Sequence, residues 1–178
     1  MEIILAENHG FCYGVKRAVE MANEAAEGKG KSYTLGPIIH NPQVVGRLES
    51  KGVSPIQEVA DIDEGTMIIR SHGVGPAIYA EAEEKGLHIL DATCPHVKKA
   101  QQDAKSVIED GMTLVILGEK NHPEVKSINL WANNKGIIIE DEESAQKLQI
   151  VEKMGVVVQT TFSQFKFNSI IEILEKKS

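Results

Sequence analysis

Cys12-Tyr13-Gly14-Val15-Lys16-Arg17-Ala18 returns 82 residues later as Cys94-Pro95-His96-Val97-Lys98-Lys99-Ala100. Both heptapeptides read C-x-x-V-K-(R/K)-A, and each follows a strand-like run and opens a helix-like one. A looser echo, at about the same offset, pairs His40-Asn41-Pro42-Gln43-Val44 with Asn121-His122-Pro123-Glu124-Val125. Self-similarity at a fixed period is typical of repeated structural units. The sequence therefore predicts two similar α/β units, one spanning residues 1–93 and the other residues 94–178.

Short apolar runs alternate with amphipathic stretches along the chain. The strand-like runs are Ile3–Ala6, Ser32–Leu35, Thr66–Arg70, His88–Leu90, Thr113–Leu117, Ile137–Ile139 and Gly155–Val158. The helix-like stretches are Val15–Ala26, Pro42–Lys51, Pro76–Lys85, Val97–Glu109, Pro123–Asn133, Ser144–Leu148 and Ser163–Lys176. Strands that alternate with helices are typical of parallel sheets with crossover helices. We predict that each unit is a small, mostly parallel sheet flanked by helices, with ligands beyond the carboxyl ends of its strands.

Composition argues against a nucleic-acid-binding protein and against a membrane-spanning one. The chain has 178 residues and a net charge of -7, which argues against a nucleic-acid partner. No run of about 18 apolar residues predicts a membrane span, and the first residues do not resemble a signal peptide. Two cysteines in a chain of this length do not form a disulfide framework. They favour a reducing, cytoplasmic setting in which cysteines serve as metal ligands, nucleophiles or core residues.

Cys12 and Cys94 are the first candidates for a functional site. A thiolate at a helix N-terminus is stabilised by free backbone N–H groups. A single cysteine is more often a small buried hydrophobe, but two at matching positions of a repeat favour a shared metal or cluster. Zinc would need further ligands, such as histidines, and an iron–sulfur cluster usually needs three or four cysteines. A third repeat would place its cysteine at about residue 176 or later, close to the last residue, Ser178.

Polar residues at predicted strand ends are the second group of candidates. His40, His72 and His122 each follow a strand-like run and precede a helix-like one. They suggest a pocket for a metal or for an anion such as phosphate, because imidazole both ligates metals and donates hydrogen bonds. Glu124 could be a solvated residue of a first helical turn or a proton donor. Thr160 could be an N-cap or a hydroxyl in the same pocket.

The motifs together resemble those of 4-hydroxy-3-methylbut-2-enyl diphosphate reductase, and they correspond to the N-terminal two-thirds of that family. The segments that carry the resemblance are Gly10-Phe11-Cys12-Tyr13-Gly14-Val15, Ile39-His40-Asn41, Ser71-His72-Gly73-Val74, Asp91-Ala92-Thr93-Cys94-Pro95, His122-Pro123-Glu124-Val125 and Gln159-Thr160-Thr161. The resemblance implies a pseudo-threefold fold of three α/β units around a four-iron four-sulfur cluster. The third unit, which carries the third cysteine ligand and part of the diphosphate pocket, is then expected to be missing from this chain.

The resemblance also implies an activity and roles for particular residues. The reaction is the reductive dehydration of 4-hydroxy-3-methylbut-2-enyl diphosphate to isopentenyl and dimethylallyl diphosphate, the last step of the non-mevalonate pathway. Electrons come from ferredoxin or flavodoxin. Cys12 and Cys94 are then cluster ligands, and Glu124 is the proton donor. Thr160 holds the leaving hydroxyl, while the three histidines, His40, His72 and His122, face the diphosphate.

Two alternatives stay open at the level of sequence. The chain could be a non-catalytic metal-binding module, with zinc held by the cysteines and nearby histidines. It could also be an inactive two-domain remnant that serves as an interaction partner. With two of three cluster ligands, we expect the isolated chain to be weakly active or inactive as a reductase.

Overall fold

Two parallel sheets organise the chain in a computed structural model that describes residues 2–7, 9–28 and 30–177. The strands are β1 (Ser32–Leu35), β2 (Val53–Ile56), β3 (Thr66–Ile69), β4 (His88–Asp91), β5 (Thr113–Leu117), β6 (Ile137–Ile139) and β7 (Met154–Val158). The first sheet has the order β2-β1-β3-β4 and the second the order β6-β5-β7. Every pairing in both sheets is parallel. The predicted fold class is confirmed.

Helices provide the crossovers between these strands. They are α1 (Tyr13–Glu27), α2 (Pro42–Glu49), α3 (Pro76–Glu84), α4 (Pro95–Glu109), α5 (Pro123–Trp131), α6 (Glu142–Lys147) and α7 (Gln164–Leu174). Single 3₁₀ turns cover Val59–Asp61 and Glu175–Lys177. Four of the α-helices begin with proline in their first turn, where the missing N–H costs no hydrogen bond. Within the described residues, none of the helices combines the length and apolar character that a membrane crossing requires.

Both faces of each sheet are covered, as the alternation of side chains along a central strand shows. In β3, Met67 and Ile69 pack into a core cluster with α3, while Ile68 packs on the opposite side with α1 and α2. In β5, Leu114 and Ile116 face α4 and α5, and the other strand face packs against α6 and α7. Side chains alternate between the two faces of a strand, so continuous apolar runs produce three-layer units.

The two units repeat the same order of elements. Helix, strand, helix and strand follow one another from α1 to β2 and again from α4 to β6, and β1 and β5 each lie between two neighbours. The first unit has one additional edge strand, β4. The predicted division between residues 93 and 94 falls in the short connection between β4 and α4, and it stays a prediction.

One strand prediction is wrong and one strand was not predicted. Residues 3–6 have no regular structure, and Ile3, Ile4 and Leu5 are 73%, 84% and 75% exposed. No strand among the described residues lies beside this segment, and an isolated strand leaves its backbone hydrogen bonds unmade. The missed strand is β2, which contains Pro55. It pairs with β1 on one side only, so the proline occupies an edge strand, where it is tolerated.

Candidate active site

Each of the two cysteines lies at the start of a helix. Cys12 is the N-cap residue of α1 and Cys94 is the N-cap residue of α4. Their carbonyl oxygens accept the first helical hydrogen bonds, 2.9 Å from the nitrogens of Lys16 and Lys98 respectively. Neither thiol caps its own helix or forms a disulfide. Both thiols therefore lie at helix N-termini, beside free backbone N–H groups and without a covalent partner.

Close packing brings the helix of Cys12 against Cys94. A Cβ atom built on Gly14 would lie 2.5 Å from Sγ of Cys94, so only glycine leaves room for that sulfur. Arg17, one turn further along α1, donates to the carbonyl oxygens of Thr93 at 3.3 Å and Asp91 at 3.5 Å. The repeated motif therefore does more than start a helix, because Gly14 and Arg17 hold α1 against the loop that carries Cys94.

Asp91 fixes the loop between β4 and α4. Its Oδ1 atom accepts from the backbone N–H of Thr93 at 2.9 Å, and its Oδ2 atom lies 2.7 Å from Nζ of Lys98 and 3.0 Å from the hydroxyl of Tyr79. Burial works to raise the pKa of Asp91, but the hydrogen bonds from Lys98 and Thr93 outweigh burial and hold that pKa below its ordinary value. The carboxylate therefore stays charged and orients the loop that precedes Cys94.

The three predicted histidines meet between the two units. The ring centroids of His40 and His72 are 4.9 Å apart, and those of His72 and His122 are 5.4 Å apart. One ring nitrogen from each residue lies within 4.8 Å of the others. His40 and His72 follow β1 and β3 in the first sheet, and His122 follows β5 in the second. The carboxyl edges of both sheets therefore face one polar cluster.

The environment of His72 keeps its ring neutral. Burial and then the positive charges of His40, Arg70 and His122 lower the pKa of His72 to about 4. Its Nδ1 atom is buried and has no hydrogen-bond partner among the described residues. A neutral imidazole carries one donor and one acceptor. The cluster therefore has unused hydrogen-bonding capacity, and an anion between the rings would lower the free energy of their protonated forms.

The ring of His122 is held in one orientation by its own helix. Nδ1 of His122 accepts from the backbone N–H of Glu124 at 3.2 Å, so the side chain caps α5. When Nδ1 accepts, the neutral ring carries its proton on Nε2. The exposed side of this ring then offers an N–H donor, which suits an anion better than a metal ion.

Glu124 and Thr160 form a buried pair beside His122. The Glu124 side chain is 2% exposed. Its Oε1 atom accepts from the backbone N–H of Thr160 at 2.6 Å, and its Oε2 atom lies 2.8 Å from the Thr160 hydroxyl. Among the described residues, no lysine, arginine or histidine forms an ion pair with this carboxyl group. The pair joins the end of β7 to the start of α5 and places a hydroxyl next to a carboxyl group.

Two buried polar side chains hold the backbone of the site residues in place. Neither of them was predicted from the sequence. The Ser127 hydroxyl lies 2.8 Å from the carbonyl oxygen of His72 and 2.9 Å from that of Glu124. Gln101 donates to the same hydroxyl at 3.2 Å. Both residues occupy positions on the apolar, buried face of an amphipathic helix. A polar residue at such a position is the one feature of the sequence that indicates them. Through them, α4 and α5 hold the loop of His72.

The residues present fit two of the ligands of an iron–sulfur cluster. Both thiols are free, and the absence of a side chain at Gly14 leaves room for the Cys94 sulfur beside α1. Thiolates are the usual ligands of such clusters. The three histidines form a separate group whose ring nitrogens gather without a cysteine. The arrangement therefore offers a thiolate pair and a histidine cluster as two distinct binding features.

Two parallel sheets with histidines, Cys94 and a buried acid at their carboxyl edges define an α/β protein with a polar cluster at its strand ends. The comparisons with known proteins agree with that class. The family model described as LytB protein matches residues 3–178. The chain belongs to the LytB family.

The similar proteins share one name. The 4-hydroxy-3-methylbut-2-enyl diphosphate reductase of Geobacter metallireducens is 49% identical over 178 residues, which cover 99% of this chain and 63% of that protein. The reductase of the same name from Caldanaerobacter subterraneus is 45% identical and is covered to 64%. The chain therefore spans less than two-thirds of the length of these relatives.

Solved structures agree with the sequence relatives. The E-1-hydroxy-2-methyl-but-2-enyl-4-diphosphate reductase of Plasmodium falciparum superposes with a TM-score of 0.90 at 32% identity, covering 96% of this chain and 55% of that one. A structure described as (E)-4-hydroxy-3-methyl-but-2-enyl diphosphate reductase, the terminal enzyme of the non-mevalonate pathway, gives a TM-score of 0.83 at 43% identity. It is covered to 63%.

Proposed function

We propose that this chain supplies two α/β units of an enzyme that reduces 4-hydroxy-3-methylbut-2-enyl diphosphate to isopentenyl and dimethylallyl diphosphate. The observation that carries the proposal is the position of His122. Its ring belongs to the histidine cluster, and its Nδ1 atom accepts from the backbone of Glu124. An anion-binding group and a buried acid are therefore separated by a single residue, Pro123, at the start of α5. A substrate with a phosphate at one end and a leaving hydroxyl at the other needs both.

His40, His72 and His122 bind the diphosphate in this proposal. The Nε2–H of His122 donates to a phosphate oxygen, and its capping bond fixes the direction of that donor. His72 is neutral before substrate arrives, because burial and neighbouring positive charges lower its pKa to about 4. A bound diphosphate reverses the sign of the local field and raises the pKa of His72. Substrate binding should therefore be coupled to proton uptake.

Glu124 and Thr160 deliver a proton to the leaving hydroxyl. In the structure the Thr160 hydroxyl donates to Oε2 of Glu124 at 2.8 Å. When Glu124 carries the proton to be delivered, this hydrogen bond reverses and the carboxyl group donates to the Thr160 hydroxyl. The Thr160 hydroxyl then donates to the substrate oxygen. Proton transfer from a positioned acid makes water the leaving group. Overall the substrate takes up two electrons and two protons, loses one water and retains its diphosphate.

Cys12 and Cys94 are the proposed cluster ligands. A four-iron four-sulfur cluster bound there would supply Lewis acidity and electrons received one at a time from ferredoxin or flavodoxin. The contribution of this chain is to hold the two cysteine sulfurs at helix N-termini, beside free backbone N–H groups. Free thiols and a low-potential donor suit a reducing, cytoplasmic setting. We expect the chain by itself to be weakly active or inactive, because it carries only two cysteines.

Replacement of the glutamate that corresponds to Glu124 by glutamine in a full-length relative tests the proposal. Glutamine retains an acceptor for the Thr160 N–H and a donor for its hydroxyl, so the fold and substrate binding should persist. Turnover should fall about 100-fold or more, because only proton delivery is lost. Steady-state kinetics with a reduced donor should show a lower kcat and a KM within about threefold of the wild-type value. Unchanged kcat would overturn the role of Glu124.

A non-catalytic metal-binding module is the second candidate function. The observation in its favour is that the ring nitrogens of His40, His72 and His122 lie within 4.8 Å of one another. Neutral imidazole nitrogens bind zinc. Zinc analysis of the purified chain, together with the absorption spectrum after anaerobic reconstitution with iron and sulfide, separates the two functions. Stoichiometric zinc that blocks diphosphate binding, without an iron–sulfur chromophore, would favour the module.

A further inference from the structure

A cavity of 340 Å³ lies at the carboxyl edge of the first sheet, and the three histidines do not line it. It opens between the ends of β1 and β3 and is closed on its far side by α3 and α5. Successive crossovers leave β1 and β3 toward opposite faces of this sheet, as the strand order β2-β1-β3-β4 requires. Such switch points are preferred places for ligands in parallel α/β sheets. The cavity therefore lies where a parallel α/β sheet is suited to bind a ligand.

Arg70 forms a cationic wall of this cavity without a counter-ion. Among the described residues, no carboxylate forms an ion pair with it, and its buried Nε atom has no hydrogen-bond partner. Burial lowers the pKa of Arg70, but a guanidinium keeps its charge at neutral pH. A half-buried cation without an anion is costly, and an anionic ligand would remove that cost.

The guanidinium is held at the cavity by the shape of the backbone. A Cβ atom on Gly36 would lie 2.9 Å from Nη1 of Arg70, so the first residue after β1 must be small for the arginine to occupy this place. Gly36 also has a φ of +70°, which favours glycine. Glycine is therefore favoured at residue 36 both by the backbone conformation and by the space that the arginine needs.

A second cation and apolar walls complete the cavity. Lys126 lies on α5 and also has no ion-pair partner among the described residues. Ile78 and Leu130 contribute apolar surface, and Asn121 contributes an amide. Two positive charges suit a phosphate or diphosphate group, whereas the apolar side chains suit a short hydrocarbon group.

We propose that the cavity between β1, β3 and α5 is a second binding site for a small phosphate or diphosphate ester with a short hydrocarbon tail. Arg70 and Lys126 bind the phosphate oxygens, and the hydrocarbon packs against Ile78 and Leu130. The three histidines do not line the cavity, whereas Gly73 and Asn121, the neighbours of His72 and His122, do. The proposed site therefore lies beside the histidine cluster and uses different side chains. The proposal does not depend on the reductase activity, since it rests only on the charges and shape of the cavity.

Binding of dimethylallyl diphosphate to the full chain, followed by calorimetry and by amide NMR shifts, tests the proposal. The expected result is a binding event that shifts the amides of Gly36, Gly73 and Gly75. Arg70→Gln and Lys126→Gln should each weaken it about tenfold or more, because a charge-assisted hydrogen bond is lost. Lys135→Gln makes the same charge change at an exposed residue that does not line the cavity, and it should leave the affinity unchanged.

A double change in the histidine cluster, His40→Asn with His122→Asn, distinguishes the two sites. Retention of the event that depends on Arg70 and Lys126 supports the second site. Loss of all binding in the histidine variant, with no effect of Lys126→Gln, would place the ligand at the histidines. That result would overturn the second site while leaving the proposed function in place. Absence of any binding to the wild-type chain would also overturn the second site. Because Lys126 is exposed, its variant remains informative if Arg70→Gln does not fold.

Discussion

Gly14 and Cys94 are in direct contact across two helix N-termini, since a Cβ atom at residue 14 would lie 2.5 Å from Sγ of Cys94. The atom that would be displaced is the sulfur itself. Its own backbone is fixed, because the Cys94 N–H donates to the carbonyl oxygen of Ser71 at 2.9 Å. The contact therefore couples the packing of α1 to the position of a thiol that we propose as a cluster ligand.

Gly14→Ala should destabilise the chain by about 1–3 kcal/mol, because the added methyl group overpacks a closed contact. Gly46→Ala is the matched control. Gly46 lies inside α2 with open space around it, so alanine should stabilise the chain by about 0.5–1 kcal/mol through helix propensity. Urea denaturation measures both changes. Equal effects of the two substitutions would show that the Gly14 contact does not contribute to the free energy of unfolding.

Asp91→Asn should cost about 1–3 kcal/mol, because Lys98 loses its partner and the Thr93 N–H loses a charged acceptor. A double-mutant cycle with Lys98→Gln should give a coupling energy of about 0.5 kcal/mol or more. Asp103→Asn is the control. Asp103 pairs with Lys99 on the exposed face of α4, where an ion pair contributes within about 0.5 kcal/mol. If Asp91→Asn behaved like the control, the proposed fixing of the Cys94 loop would be wrong.

Local signals were sufficient for most of the fold. β1, β5 and β6 have the bounds that their apolar runs predict, and prolines and caps mark most helix starts. The strand predictions were wrong where the presence or absence of a neighbouring strand decides whether a segment forms a strand. Residues 3–6 have a strand-like composition, but no strand lies beside them among the described residues. β2 contains a proline, yet it forms because one of its edges is not paired.

The residues of the candidate site also fall into those that the sequence predicted and those that it did not. His40, His72, His122, Glu124 and Thr160 were visible because they follow strand ends, which parallel sheets gather at one edge. Their functional roles stay predictions. Arg70 could not be found from sequence, and Ser127 showed only as a polar residue on an apolar helix face, because the importance of both lies in contacts with residues distant along the chain. The carbonyl oxygen of His72 lies 2.8 Å from the Ser127 hydroxyl across a separation of 55 residues.

Trp131→Phe should weaken the contact between the two units. The indole N–H donates to the carbonyl oxygen of Val74 at 2.9 Å, and the ring packs edge-on against Tyr79 at 6.1 Å. Phenylalanine keeps the aromatic contact and loses the hydrogen bond, so we expect a cost of about 1–2 kcal/mol in urea denaturation. Phe165→Leu alters an exposed aromatic residue and should change stability by less than about 0.5 kcal/mol. Equal stability of the two variants would argue against a role for the Trp131 donor.

The stability of the chain should fall as the pH decreases from 6.5 to 4 because of His72. Burial and neighbouring positive charges lower its pKa from 6.5 to about 4 in the folded chain. Between these values the unfolded chain binds the additional proton, so acid favours unfolding across this window. Asp61, Asp91 and Asp141 have lowered pKa values, and their stabilising contributions are lost only at lower pH, below their ordinary value of 3.8.

Urea denaturation at several pH values in a non-phosphate buffer measures this dependence. After allowance for the partly exposed ring, we expect His72 to account for a loss on the order of 1 kcal/mol across the window. His72→Gln removes the titrating group and should flatten the curve between pH 6.5 and 4, whereas His88→Gln changes an exposed histidine and should keep the wild-type slope. Added inorganic diphosphate should also flatten the wild-type curve, because an anion among the rings stabilises the protonated form. A wild-type slope that persisted in His72→Gln would show that other groups control stability in this range.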